Sequence, residues 1–152
     1  MYWLAGPGFL GDLSLAYGGA LEFDLQQSAT NNQYHGVDVI LQGAGLNLPL
    51  ETSGNPYQAP AWTHYRVNLI ESGSWRVGSL AGAPPTAEQF QAVLANLSSL
   101  QLRAEYRSGA DVDGLDNVVV TPPHPPGDLD DDGDVDLADY AEFQLSFGAT
   151  CP

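Results

Sequence analysis

Ala20-Leu21-Glu22-Phe23-Asp24-Leu25-Gln26 alternates apolar and polar residues without a break. An extended chain turns successive side chains to opposite faces, so Leu21, Phe23 and Leu25 share one face and Glu22, Asp24 and Gln26 the other. This is a strand with one dry and one wet side. The same period recurs outward from it. Residues 63–69 set Tyr65, Val67 and Leu69 against His64, Arg66 and Asn68, and residues 100–106 set Leu100, Leu102, Ala104 and Tyr106 against Gln101, Arg103 and Glu105. Residues 117–121 supply a last strand with Val118 and Val120 on one face. Two further apolar runs, 37–41 and 46–50, flank Gln42-Gly43-Ala44-Gly45 and predict a hairpin. Short strands punctuated by Gly and Pro predict an all-β fold, a jelly-roll-like β-sandwich.

One helix interrupts the pattern. Thr86 and Gln89 are spaced as a capping box, and Phe90, Val93, Leu94 and Leu97 follow at helical spacing. It is expected to cover one end of the sandwich without contributing chemistry.

Charge divides the chain unevenly. Among 152 residues there are 19 acids and 4 bases, a formal net charge of -15, and no Lys at all. Residues 1–121 hold 11 acids against all 4 Arg, a net of -7; residues 122–152 hold 8 acids and no base, a net of -8. Such a surface repels phosphate backbones and anionic lipid, which excludes nucleic acid as a partner and favours metal cations. No stretch is long or apolar enough for membrane insertion. The lone Cys151 leaves one thiol, free or bridging to another chain. Thr121-Pro122-Pro123-His124-Pro125-Pro126-Gly127 predicts a stiff extended spacer over residues 122–127, between a domain of residues 1–121 and a tail of residues 128–152.

Asp128-Leu129-Asp130-Asp131-Asp132-Gly133-Asp134-Val135-Asp136-Leu137-Ala138-Asp139 fits a twelve-residue calcium loop. Oxygen ligands are needed at positions 1, 3, 5, 7, 9 and 12, here Asp128, Asp130, Asp132, Asp134 through its carbonyl, Asp136 through water, and Asp139. Gly133 occupies the sharp turn and Val135 the apolar position after it. The exiting helix, residues 137–147, places Tyr140, Phe143 and Phe147 on one face. Crowding these carboxylates without a cation is costly, so folding of the tail is expected to couple to Ca2+ binding.

The stretches YWLAGPGFLGDLSLAYGGALEFDL, VILQGAGLNLPLE, WTHYRVNLIESGSWRV, EQFQAVLANLSSLQLRAEY and DGLDNVVV together resemble the laminin B (laminin IV type A) domain in its bacterial form. That resemblance implies a secreted, extracellular β-sandwich without catalytic activity, similar in architecture to carbohydrate-binding modules. The tail resembles half of a type I dockerin, with Asp rather than Glu at position 12. Related carbohydrate-binding sandwiches hold a structural calcium through an Asp just before the last strand, which makes Asp116 a possible second metal ligand; the alternative is a turn-closing role in Asp113-Gly114-Leu115-Asp116. Relatives carry further residues ahead of the YWLAGP-like stretch, where only Met1 stands here. If the chain starts there, a sandwich short of a strand is expected, and with it a homopolymer in which Tyr2–Leu4 of one copy completes the next, building a filament; the alternative is that an upstream segment is left out.

No nucleophile elbow, phosphate loop or zinc-ligand spacing occurs, so no catalytic residue is assigned. A structural or adhesive module is the favoured reading. The alternatives are an accessory domain of a larger secreted protein and a carbohydrate-binding module that stacks a polysaccharide on Trp62, Trp75 or Tyr57, although aromatic residues at strand spacing are more often core.

Overall fold

A computed structural model describes residues 1–125, 127–129 and 135–148. Its strands are β1 (Tyr2–Leu4), β2 (Ala20–Gln27), β3 (Val39–Gly43), β4 (Leu46–Leu50), β5 (Thr63–Asn68), β6 (Leu97–Arg103) and β7 (Asp113–Thr121). The helices are α1 (Ala87–Ala95) and α2 (Leu137–Gly148). Two antiparallel sheets, ordered β1-β6-β3-β4 and β5-β2-β7, make the expected sandwich. The chain divides into two compact units, Met1–Pro122 and Pro123–Pro152.

The alternation of β2 decides the core. Leu21, Phe23 and Leu25 are buried, and the series continues one step further to Gln27, which is also buried. Phe23 stands opposite Tyr65 of β5, and their rings stack with centroids 5.3 Å apart. β3 and β4 are joined by Ala44 and Gly45, both at positive φ (49° and 74°). That two-residue turn matches the twist of a hairpin, so Gln42 and Gly43, expected in the turn, belong to β3. Pro49 is tolerated because β4 is an edge strand. The segment after Trp75 covers that edge: Arg76 N–H donates to Pro49 O (3.1 Å) and Gly78 N–H to Asn47 O (2.8 Å).

Thr86 and Gln89 form the capping box, each side chain accepting from the other's backbone N–H at 3.2 and 2.9 Å. Phe90, Val93 and Leu94 bury the apolar stripe of α1 against β3 and the turn of Ser14–Ala16. Leu97 does not extend that stripe. Asn96 leaves helical geometry, and Leu97 begins β6, exchanging two backbone hydrogen bonds of 2.8 Å with Gly11. β7 likewise starts four residues before the expected strand, at Asp113. Gly114 serves close packing rather than a turn, since a Cβ there would lie 2.9 Å from both Gln26 and Trp62.

Tyr2–Leu4 is the strand expected to complete a neighbouring copy. It pairs with Arg103, Leu102 and Gln101 of β6 in its own chain, and Trp3 packs on the core. Its hydrogen-bonding edge is thus engaged in the same sandwich that it was expected to leave for a neighbour.

Candidate functional site

Of the calcium-loop residues, Asp128, Asp136 and Asp139 lie among the described residues; Asp130, Asp132, Gly133 and Asp134 lie outside them, as does Cys151. Asp128 and Asp139 are both buried. His124 Nδ1 is 3.1 Å from Asp128 Oδ2. The Asp139 carboxylate accepts from Leu129 N–H (2.5 Å) and Asp136 N–H (2.6 Å), which ties the second position of the loop to its ninth. Asp136 in turn accepts from Ala138 N–H (2.6 Å) and caps α2, a reciprocal pair that fixes where the loop ends and the helix begins. A carboxylate oxygen retains a second lone pair after accepting one N–H. Val135 lies against Gly127, whose φ of 105° only a residue without a Cβ adopts readily.

The first unit carries two polar clusters. On the wet face of the second sheet Arg66 pairs with Glu22, His64 Nδ1 lies 2.8 Å from Asp24 Oδ1, and Asn117 Nδ2 donates to Asp24 Oδ2 at 2.7 Å. Hydrogen bonds from Asn117 and His64 hold the Asp24 carboxyl below the usual range. These groups satisfy one another across β5, β2 and β7. Asp116 stands at the edge of this cluster, exposed, its Oδ1 accepting from Asn117 N–H (2.8 Å) where Asn117 turns to positive φ.

The second cluster lies where β2 ends and β7 begins. Gln27 is directly opposite Asp113. Asp111 Oδ1 accepts from Ser28 N–H (3.1 Å), the Ser28 hydroxyl and Val112 N–H (3.0 Å). Burial alone would raise Asp111, but those donors outweigh it and hold its carboxyl low. Asp113 faces the Asp111 carboxylate; burial first and that negative charge second push Asp113 up to about 6. Among the described residues no three His, Cys, Asp or Glu side chains converge on one point. Two carboxyl groups, Asp111 and Asp113, face each other there, with Gln27 across the strand pair from Asp113.

The three aromatic candidates separate. Trp75 is 0% exposed, its indole N–H donating to Asn68 O at 2.9 Å and its ring meeting Phe90 edge-on at 5.6 Å. It is core, which removes it as a sugar platform. Trp62 (42% exposed) and Tyr57 (64%) remain at the surface, on the segment that runs beside Gln27 through the bonds Gln27 N–H to Tyr57 O and Ala59 N–H to Gln27 O.

Two antiparallel sheets with a helix over one end and an acidic tail define a β-sandwich module. The family described as Laminin B (Domain IV) matches residues 2–128, and the chain belongs to that family. Human laminin subunit gamma-1 is 32% identical over 128 residues, covering 82% of this chain and 8% of that protein. The basement membrane proteoglycan of Caenorhabditis elegans is 31% identical over 106 residues, covering 70% and 3%. The chain thus spans less than a tenth of either relative. Among solved structures, the L4b domain of human laminin alpha-2 superposes with a TM-score of 0.65 at 17% identity, over 77% of this chain and 67% of that one, a likeness of fold.

Proposed function

We propose that the chain is a non-enzymatic structural or adhesive module of an extracellular protein, with a tail clasped by calcium. The observation that carries the module reading is the family match over nearly the whole sandwich, to relatives named as laminins and a basement membrane proteoglycan. The calcium reading rests on the ligand spacing of residues 128–139 and on two buried carboxylates, Asp128 and Asp139, at the ends of that stretch. Chelation is expected to expose residues 128–150 to limited proteolysis while residues 1–121 stay protected. Asp132→Ala, at position 5 of the loop, should weaken calcium binding at least tenfold by calorimetry, whereas Asp131→Ala, at position 4, which supplies no ligand in loops of this pattern, should change it little. Equal losses would place the register elsewhere.

Polysaccharide binding is a second reading, favoured by the exposure of Tyr57 and Trp62 on one segment. Retention on insoluble polysaccharide that Tyr57→Ala and Trp62→Ala both abolish is its test. Filament growth by strand complementation would require Tyr2–Leu4 to leave β6 of its own sandwich for β6 of the next copy. A monomer at high concentration by light scattering rejects it.

A further inference from the structure

We propose that Gln27, Asp111 and Asp113 form a second binding site for a divalent cation, calcium by its chemistry, inside the sandwich unit and independent of the tail. Among the described residues, Gln27 Oε1, Asp111 Oδ2 and Asp113 Oδ1 are all buried and receive no N–H or hydroxyl donor; the two carboxyl groups can bond each other only by sharing a proton. Buried acceptors are rarely left so, because each has lost its water without compensation. Here three of them fall in one place. Gln27 and Asp113 are cross-strand partners, so their side chains leave the sheet on the same face with Cβ atoms about 5 Å apart. Asp111, two residues before Asp113, turns its carboxylate toward that of Asp113.

The orientation of Gln27 is fixed rather than chosen. The side chain is 0% exposed, and its Nε2 donates to Pro56 O at 2.6 Å. A carbonyl must receive an N–H, so the other branch of the amide is the oxygen, and that oxygen is the unpartnered atom. Asp111 is oriented in the same way, since Ser28 and Val112 occupy Oδ1 and leave Oδ2.

Among the described residues no cation forms an ion pair with Asp111 or Asp113. The positive charge of Arg107 favours the ionised form of Asp113, and Glu105 opposes it. The guanidinium is engaged elsewhere, donating to Asn31 O (3.1 Å), Asn31 Oδ1 (2.9 Å) and Ala110 O. The two carboxyl groups face each other, and neither Asp111 Oδ2 nor Asp113 Oδ1 receives an N–H or hydroxyl donor. Two carboxylates and a neutral amide oxygen are the hard ligands calcium takes, with water or backbone carbonyls completing its six to eight. Thiol and imidazole, which would favour zinc, are missing from the set. The competing occupant is a proton shared between the two carboxylates.

The test uses the full chain with the tail loop silenced by Asp130→Ala and Asp132→Ala. Calorimetry with calcium chloride should still find one equivalent bound, and calcium should raise the thermal midpoint of this variant above its value in chelator. Asp113→Asn, Asp111→Asn and Gln27→Leu, each added to the silenced chain, should lower that affinity at least tenfold and remove the shift. Far-UV circular dichroism in chelator verifies that each is folded, and three variants guard against the failure of one. A silenced chain that binds no calcium, or one whose affinity survives all three changes, overturns the site. So does a midpoint that falls as pH rises through 4 to 6 and is unmoved by calcium, which identifies the shared proton. Failure of the tail reading looks different: the unaltered chain would then bind no more calcium than the silenced one.

Discussion

Asp38→Ala is expected to destabilise the sandwich by about 3–5 kcal/mol, read as a lowered midpoint in chemical denaturation, because it strands a buried guanidinium. Asp38 and Arg103 are 2% and 4% exposed. Asp38 Oδ1 accepts from Arg103 Nη1 at 3.1 Å, while Oδ2 accepts from Thr52 N–H (2.7 Å) and the Thr52 hydroxyl (2.8 Å). Arg103 spends its other donors on Glu105 O (2.7 Å) and Tyr34 O (3.0 Å), and the rings of Tyr34 and Tyr106 lie 4.4 and 4.5 Å from its central carbon. Every charge-bearing atom of the pair is therefore matched, which is the condition under which a buried ion pair is tolerated at all. Removing the carboxylate leaves the arginine uncompensated and two Thr52 donors unmade. Asp38→Asn keeps the shape and should cost less. The double change Asp38→Ala, Arg103→Met should cost less than the sum of the single changes, since the penalty of the first lies in the charge it abandons. A loss under about 1 kcal/mol for Asp38→Ala would show that water reaches the pair.

That pair also marks how far the sequence could be read. Local periodicity found β2, β5 and the hairpin within a residue or two, because each signal sits inside a few consecutive positions. It placed Arg103 on the polar side of its strand, and nothing local says that a carboxylate 65 residues away waits to receive it. The end of α1 was misread for a related reason: Leu97 is buried whether it continues the helical stripe or begins β6, and only the bonds to Gly11 decide. The Gln27 cluster had a faint signal. The inward series Leu21, Phe23, Leu25 runs on to a glutamine, and a polar residue in a core register calls for a partner. Asp113-Gly114 looked like a turn, which hid that partner in a loop. The tail was the reverse case: the spacing of its acidic residues suggests a calcium loop outright, while half of the proposed ligands, Asp130, Asp132 and Asp134, lie outside the described residues.

Trp75→Ala should cost a further large amount, about 3–5 kcal/mol, by the loss of a fully buried indole and the cavity it leaves. Trp75 joins three parts of the first unit. Its N–H holds the end of β5 at Asn68 O, its ring meets Phe90 of α1, and its backbone leads into the two hydrogen bonds that cover the β4 edge at Pro49 and Asn47. Loosening that segment bares an edge strand, so aggregation on heating should rise together with the loss of stability. Trp75→Phe should retain most of the packing and cost less, chiefly the bond to Asn68. Tyr57→Ala, which removes an exposed ring, should stay within about 0.5 kcal/mol of the unaltered chain, and Trp62→Ala, whose ring also packs over Gly114, should cost more than that but less than Trp75→Ala. The contrast matters for function. If the surface pair binds sugar, its variants lose retention on polysaccharide while still folded, whereas Trp75→Ala loses retention only in proportion to the fraction unfolded. Retention lost by folded Trp75→Ala, with Trp62→Ala and Tyr57→Ala still bound, would return the indole to the role that its burial denies it.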